Sequence, residues 1–305
     1  MGCKLGRQRH TVFFHHNDIE HLDAVLRDLR AAEATSRSNL FVAVESVYSM
    51  DGDLAPLREI LGVADAHMAS VIVDEAHGTG VFGEEGRGLV SALGLESHPA
   101  LLAGMHSFGK ALGVHGAVVV GSATLRKFLV NYARPLIYST SLSLHSLACI
   151  RCSYLMQAKA DDCRGRIFEL SDMFQSMLAD EKTLDGTFPL KARDVPRARS
   201  PIQSVVIAGN EQSLFVADSL RALGFDIRAI RMPTVPEGTE RLRVTLHAYN
   251  TNDEVAALAH HIRRLAAKGN DTHVSENSTA EDIHARSNER PRDSRSSLNT
   301  TRARL

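Results

Sequence analysis

Lys110 lies in Ser107-Phe108-Gly109-Lys110-Ala111-Leu112-Gly113, between an apolar run from Leu101 to Met105 and another from Ala117 to Val120. That flanking predicts a tight turn between buried strands, with an amine near its tip. Upstream, Ala69-Ser70-Val71-Ile72-Val73 ends in Asp74-Glu75-Ala76-His77-Gly78-Thr79-Gly80. A lysine, a strand-end aspartate and a nearby histidine are the parts needed to hold an aldehyde cofactor with a basic ring nitrogen, and pyridoxal phosphate is such a molecule. Its ring works as an electron sink only while the nitrogen keeps a proton. A carboxylate about 4 Å away contributes roughly 4 kcal/mol at an effective dielectric near 20. At about 1.4 kcal/mol per pK unit, that raises the nitrogen's pKa by on the order of three units. Asp74 suits this role, and His77 could bond the ring's phenolic oxygen or steady Asp74. Lys110 would tether the aldehyde as a Schiff base and, once displaced, shuttle a proton.

Other chemistries use similar residues and fit less well. Gly78-Thr79-Gly80-Val81-Phe82-Gly83 has the glycine spacing of a dinucleotide fingerprint. That fingerprint needs a helix opening at the third glycine and an acidic residue closing the next strand. Here Glu84-Glu85-Gly86-Arg87-Gly88 interrupts the helix, and Leu101 to Ser107 carries no carboxylate. Asp74-Glu75-Ala76-His77 also spells a helicase metal box, and Gly104 to Lys110 is like a phosphate loop. Ala111 stands where Ser or Thr must reach the metal, and the lysine motif follows the acidic one instead of preceding it. Taken singly, Asp74 and Lys110 would be an ordinary ion pair at strand ends.

The elements needed to position these groups follow from periodicity. Asn17 and Asp18 can cap a helix whose stripe runs Ile19, Leu22, Val25, Leu29. His15, His16 and His21 lie beside that cap without a carboxylate at ligand spacing, which predicts a solvated helix entry and no metal. Leu40 to Val44 reads as a strand, and Pro56 suits the first turn of a helix ending near His67. The strand to Asp74, a glycine-rich loop, the strand to Met105, the lysine turn and the strand to Gly121 come next. This alternation predicts an α/β fold with a mostly parallel sheet and crossover helices. Ser143 to about Lys182 reads as long helical structure linking two domains. The large domain with this linker spans 1–182. A smaller C-terminal α+β domain spans 183–269, with strands Ser204 to Ala208, Phe225 to Ile230 and Arg241 to Leu246, and helices Glu211 to Leu223 and Asp253 to Ala267. Beyond Gly269 the composition turns polar, and 270–305 reads as a disordered tail.

At 305 residues the chain can hold one large domain and a smaller one. A net charge of -1 gives no electrostatic reason to bind nucleic acid or an anionic membrane, and Trp is absent, so base-stacking platforms are not expected. No apolar stretch is long enough for a membrane span. Cys3, Cys149, Cys152 and Cys163 do not make a disulfide framework at this length. The Cys149-Ile150-Arg151-Cys152 spacing lies in an expected helix with no second pair, which favours packed thiols over redox or metal use.

The run from Val44 to Ser143 resembles the α-oxoamine synthase family of fold-type-I pyridoxal-phosphate enzymes. The matching pieces are Glu45-Ser46-Val47-Tyr48-Ser49-Met50-Asp51-Gly52-Asp53, Asp74 to Gly88, Phe108 to Gly116, and Tyr138-Ser139-Thr140-Ser141. In the second domain, Pro233-Thr234-Val235-Pro236-Glu237-Gly238-Thr239-Glu240-Arg241-Leu242-Arg243 resembles the biotin-pathway branch best. The resemblance extends from about His16 to Leu265. It implies a homodimer with sites at the subunit interface, and decarboxylative condensation of L-alanine with pimeloyl-CoA or a related thioester. It further implies that Asp74 pairs with the ring nitrogen, that Ser49 and His77 contact the phenolic oxygen, and that Ser107 sits near the phosphate. Thr140 would reach the partner subunit's phosphate, Thr234 would lie in a substrate loop, and Arg243 would grip the amino-acid carboxylate. A bidentate guanidinium suits that last task better than an ammonium.

Set against that family pattern, the glycine-rich phosphate turn and the ring-stacking histidine have no counterpart from Met1 onward, and the resemblance therefore implies a partial large domain with exposed apolar edges. His247-Ala248-Tyr249-Asn250 also departs from the small-residue and histidine run expected after the arginine strand. Two further readings stay open: a catalytically impaired remnant or partner subunit, and a synthase using another amino acid or acyl-CoA. The C-terminal Ala303-Arg304-Leu305 fits the small-basic-leucine form of a peroxisomal address; without it the chain would be cytoplasmic.

Overall fold

The computed structural model describes residues 11–32, 38–179 and 200–275. Cys3, Ala303-Arg304-Leu305 and most of the expected tail lie outside these residues. Helix α1 (Ile19–Ala31) starts as expected, with the Asp18 carboxylate accepting from the His21 N–H at 2.8 Å. Its buried residues are Leu22 and Leu26, while Val25 and Leu29 of the expected stripe are only half-buried. Asn17 and His16 reach forward to the Asp53 carboxylate at 2.8 and 2.7 Å, and so anchor the loop that follows the first strand.

Contrary to the expectation of no carboxylate near the histidines, the cap brings Asp18 among His15 and His21, with their ligand atoms within 4.8 Å of one another. These groups already serve each other: His21 Nδ1 accepts the His15 backbone N–H at 3.0 Å. A cation would have to displace that N–H, because the imidazole lone pair is committed.

The first sheet holds β1 (Phe41–Glu45), β2 (Ser70–Asp74), β3 (Leu101–Ser107) and β4 (Ala117–Gly121), in that order. The first two pairings are parallel, and β3 with β4 is antiparallel. A short turn can join only antiparallel neighbours, whereas parallel strands need a crossover. The lysine turn therefore joins β3 to β4, and α2 (Leu57–Ala66) carries the chain from β1 to β2. Leu57, Ile60, Leu61 and Ala64 of α2 are fully buried with Val71 and Val73 of β2. Each large aliphatic among them contributes roughly 1.5–3 kcal/mol. A short helix α3 (Leu89–Ala92) closes the glycine-rich loop after β2.

Beyond β4 lie α4 (Ala123–Tyr132) and α5 (Arg134–Ile137), two helices with no buried residue that the sequence reading did not foresee. Among the described residues, β4 pairs only with β3, and Val119 and Val120 are about half exposed, at 51% and 53%. Phe128, Tyr132, Leu136, Tyr138 and Leu144 extend the same exposed apolar stretch.

The expected long helix is two, α6 (Leu144–Gln157) and α7 (Asp161–Ala179), because the chain turns at Ala158 to Ala160. Arg164 spans the break, donating to the Gln157 carbonyl and pairing with Asp161. Leu170, Phe174 and Leu178 of α7 belong to the core of the second sheet, so α7 packs with the C-terminal part. That sheet orders β5 (Ile202–Val206), β7 (Arg241–Thr245) and β6 (Arg228–Ile230), all antiparallel. Helices α8 (Asn210–Ala222) and α9 (Asn252–Ser275) cover it, α9 running past the expected end near Ala267. No helix among the described residues is long and apolar enough to cross a membrane.

Candidate active site

Parallel pairing aligns the carboxyl ends of β1, β2 and β3. Glu45 stands beside Asp74, and Asp74 beside Met105, two residues before Ser107. An open parallel sheet places ligands outside this edge, since the loops leaving it are free of the core. The lysine turn closes on itself at the same end. Phe108 N–H donates to the Gly116 carbonyl, Val114 N–H to the Phe108 carbonyl and Gly113 N–H to the Lys110 carbonyl. Phe108 and Leu112 are buried with Ile150, which pins the turn while leaving Lys110 exposed.

Asp74 accepts from the Ala76 N–H at 2.8 Å through one oxygen, which fixes the carboxylate at the strand end. His77 follows in the same loop. Loss of water pushes its pKa down to about 4, helped by the positive charges of Lys110 and Arg243. At neutral pH it is therefore an uncharged imidazole, able to donate from one nitrogen and accept at the other. The Lys110 amine is also lowered, by desolvation first, against the opposing pull of Asp74 and Glu45. A lysine so placed loses its proton more readily and is a better nucleophile toward a carbonyl.

Arg243 comes from the other sheet, on β7. Burial lowers its pKa, the Glu45 carboxylate opposes that, and its Nε is buried with no partner among the described residues. A buried donor left unpaired costs free energy, so an orphan of this kind points to a missing acceptor. Lys110 thus feels Asp74, Glu45 and Arg243, and His77 feels Lys110 and Arg243, which makes one cluster drawn from two sheets. Ser49 joins it through its backbone, its N–H donating to Glu45 at 3.1 Å. Ser107 ends β3 three residues before Lys110. Thr140 and Thr234 are not part of the cluster: both are exposed, Thr140 between α5 and α6 and Thr234 in a turn closed by its N–H to the Arg231 carbonyl.

Sequence reasoning passed over four groups. Glu45 is the acidic end of β1, and the rule that strand carboxyl ends carry sites would have marked it. Glu75 is fully buried, accepting from Ser46 Oγ at 2.6 Å and from the Leu89 and Val90 N–H groups at 3.1 and 2.7 Å. Thr79 Oγ1 donates to the Glu75 carbonyl at 2.7 Å, so it must accept from His106 Nδ1 at 2.8 Å, fixing that tautomer. Asp51, in the same loop as Ser49, is ion-paired with Arg241 of β7.

The comparisons with known proteins agree with this architecture. The family model for aminotransferase class I and II matches residues 2–262. An 8-amino-7-oxononanoate synthase of Emericella nidulans is 40% identical over 267 residues, covering 84% of this chain and 63% of that protein. One from Anaeromyxobacter dehalogenans is 38% identical over 262 residues, covering 85% of this chain and 61% of that protein. Among solved structures, a Sphingomonas wittichii serine palmitoyltransferase superposes with a TM-score of 0.76 at 29% identity, covering 90% of this chain and 64% of that one. The chain spans about three fifths of the length of the curated relatives it matches. The expected α/β fold of the fold-type-I transferases, with a smaller C-terminal α+β layer, is the one found. With the model matching through both sheets, including the strand that carries Arg243, the chain belongs to the aminotransferase class I and II family.

Proposed function

We propose that this chain is the catalytic part of a pyridoxal-phosphate-dependent acyltransferase that joins L-alanine to the acyl group of pimeloyl-CoA, or of a related thioester, with release of the CoA thiol and CO2, forming 8-amino-7-oxononanoate for biotin synthesis. The observation that carries the proposal is the convergence of an amine, a fixed carboxylate, a neutral imidazole and an unpartnered buried guanidinium at one strand edge. The residues fit the cofactor. Among the described residues no carboxylate pairs with the Lys110 amine, one Asp74 oxygen is left unbonded, and Arg243 Nε has no acceptor. The relatives' names and the serine palmitoyltransferase solved with PLP support the cofactor and the reaction class.

When bound, pyridoxal phosphate supplies an aldehyde for a lysine and a ring that delocalises negative charge formed on an amino acid. Asp74 keeps the proton on the ring nitrogen, and its Ala76 N–H contact prevents the carboxylate from turning away. His77, neutral at working pH, bonds the phenolic oxygen together with Ser49. Lys110, eased toward its neutral form by desolvation, tethers the aldehyde, then removes the proton from the substrate's α-carbon and later returns one. Arg243 receives the amino-acid carboxylate at its open Nε edge. Ser107, at the end of β3, would serve the phosphate, while Thr234 and Thr140, which lie outside the cluster, would serve the acyl substrate and a partner subunit's phosphate. The exposed apolar stretch from β4 to α6 supports a homodimer.

The test is direct. Purified with pyridoxal phosphate, the chain should show visible absorbance that Lys110→Ala abolishes, and turnover should favour alanine over glycine and serine when several acyl-CoAs are offered. A colourless parent chain overturns the reading. The tripeptide Ala303-Arg304-Leu305 supports a peroxisomal location, and a reporter carrying it that stayed diffuse would refute that.

A further inference from the structure

We propose that Asp51 and Arg241 form a latch that positions the Arg243 guanidinium over the site; this rests on the function proposed above. Among the described residues Arg243 Nε finds no hydrogen-bond partner, so that donor does not fix the side chain. The strand must do so. Arg241 and Arg243 are two residues apart on β7, and alternation along a strand puts them on the same face. The Arg241 Nη1 pairs with Asp51, while its Nε donates to the Thr239 carbonyl at 2.9 Å, leaving the guanidinium little freedom. Ser204 of β5, which pairs with Arg243 across the sheet, adds a donor to Asp51 at 3.5 Å.

The loop that carries Asp51 belongs to the other sheet. It starts at Glu45, whose carboxylate holds the Ser49 N–H, and it is fastened at its far end by Asn17 and His16 on Asp53. Next to Asp51, Gly52 has φ +73° and lies so close to the Ile202 carbonyl that a Cβ would stand 2.0 Å from that oxygen. Only glycine lets the loop approach β5 this closely. One short loop therefore connects the cofactor side, through Glu45 and Ser49, to the carboxylate-binding side, through Arg241 and Arg243. Asp51 and Arg241 touch neither substrate nor cofactor; they are positioning residues.

The experiment uses the full chain loaded with pyridoxal phosphate, titrated with L-alanine and with L-alanine methyl ester by difference absorbance. The ester lacks the carboxylate and has no use for Arg243. Asp51→Asn should weaken alanine binding on the order of tenfold, as small misplacements of an orienting group do, and leave the ester nearly unchanged. Asp51→Glu keeps the charge but lengthens the arm, and should give the same selective loss if Asp51→Asn fails to fold. In the cofactor-free chain, hydrogen exchange at the β7 amides should quicken in Asp51→Asn while α2 is unaffected. Equal loss for acid and ester, or no loss in either variant, overturns the latch. Should Arg243→Met itself preserve the preference for acid over ester, the assignment of Arg243 fails and the latch falls with it. Loss of that preference in Arg243→Met, with Asp51→Asn and Asp51→Glu both behaving as the parent, refutes the latch alone.

Discussion

Glu75→Gln is the most informative single perturbation of the loop that carries Asp74 and His77. The carboxylate is fully buried and uses both oxygens: Oε2 accepts from Ser46 Oγ and the Leu89 N–H, and Oε1 accepts from the Val90 N–H. A carboxamide offers one acceptor and one donor group at the same place. The Ser46 hydroxyl can rotate and accept instead, but the backbone N–H groups cannot. Whichever way the amide is turned, one of the Leu89 or Val90 N–H groups faces an NH2. An unsatisfied buried donor costs about 1–3 kcal/mol. With a urea m-value of about 2 kcal/mol/M, the midpoint should drop by roughly 0.5–1.5 M at unchanged m. Glu75→Ala orphans all three donors and leaves a void, so its loss should exceed about 4 kcal/mol. Ser46→Ala should cost the least of the three. Urea unfolding followed by circular dichroism reads each value. A Glu75→Gln chain within about 0.5 kcal/mol of the parent would refute the claim that this carboxylate organises the loop.

Lys110→Arg keeps the positive charge but cannot form an imine, so the visible absorbance of the loaded chain should vanish, while Lys127→Arg should leave it intact. His77 has a folded pKa near 4, below its ordinary value of about 6.5, so the unfolded chain binds the extra proton between those values. Stability should therefore rise with pH from about 4 to 6.5, and His77→Asn should flatten that part of the melting-temperature profile. Gly52→Ala places a methyl against the Ile202 carbonyl at a φ of +73°, and the melting temperature should fall as strain and overpacking add about 2–5 kcal/mol. If β4 belongs to the proposed homodimer interface, Val119→Lys should lower self-association measured by sedimentation, and identical profiles for variant and parent would remove β4 from it.

The strands of the first sheet were legible because they are apolar runs ending in turn residues, whether alternately buried as in Ser70–Asp74 or left exposed as in Ala117–Gly121, where the expectation of a buried strand after the lysine turn does not hold. The amine, the aspartate and the histidine were legible because strand ends and the lysine turn are local features. Arg243 was carried by the family resemblance alone, since no periodicity reveals which strand of a second sheet faces the first. Helix α4 does carry an apolar stripe at helical spacing, Leu125, Phe128, Leu129 and Tyr132, but that stripe is left without a core to pack on, and α5 is too short at four residues to show any period. The break between α6 and α7 was hidden for a different reason. Ala158-Lys159-Ala160 are good helix formers, and the turn there is held by Arg164 and by Gln157, whose side chain donates to the Glu85 and Gly86 carbonyls. Tertiary contacts overrode propensity at that point.

The glycine spacing that imitates a dinucleotide fingerprint has a different cause here. A Cβ on Gly78 would lie 2.0 Å from Glu75 Oε2, and one on Gly88 would lie 2.8 Å from the Glu75 carboxyl carbon. Gly88 also has φ +113°, a conformation that a side chain strongly disfavours. The two glycines are thus walls of a small chamber around an internal carboxylate, not a cradle for a pyrophosphate. The anion that a dinucleotide fold recruits from outside at a helix N-terminus is here supplied by the chain itself: Leu89 and Val90 N–H, the first two of α3, both point at Glu75. A group so enclosed cannot exchange its partners. The backbone from Glu75 to Thr79 is fixed by it, through the Glu75 carbonyl that accepts from Gly78 N–H, Thr79 N–H and Thr79 Oγ1. His77 lies inside that fixed arc and Asp74 immediately before it. The rigid arc lets His77 stay desolvated and neutral beside two cations, as its lowered pKa requires. Gly88→Ala, which intrudes on the chamber without touching the site, should therefore raise the His77 pKa back toward its ordinary value in an imidazole NMR titration. An unchanged His77 titration in a folded Gly88→Ala chain would mean that the arc does not depend on Glu75.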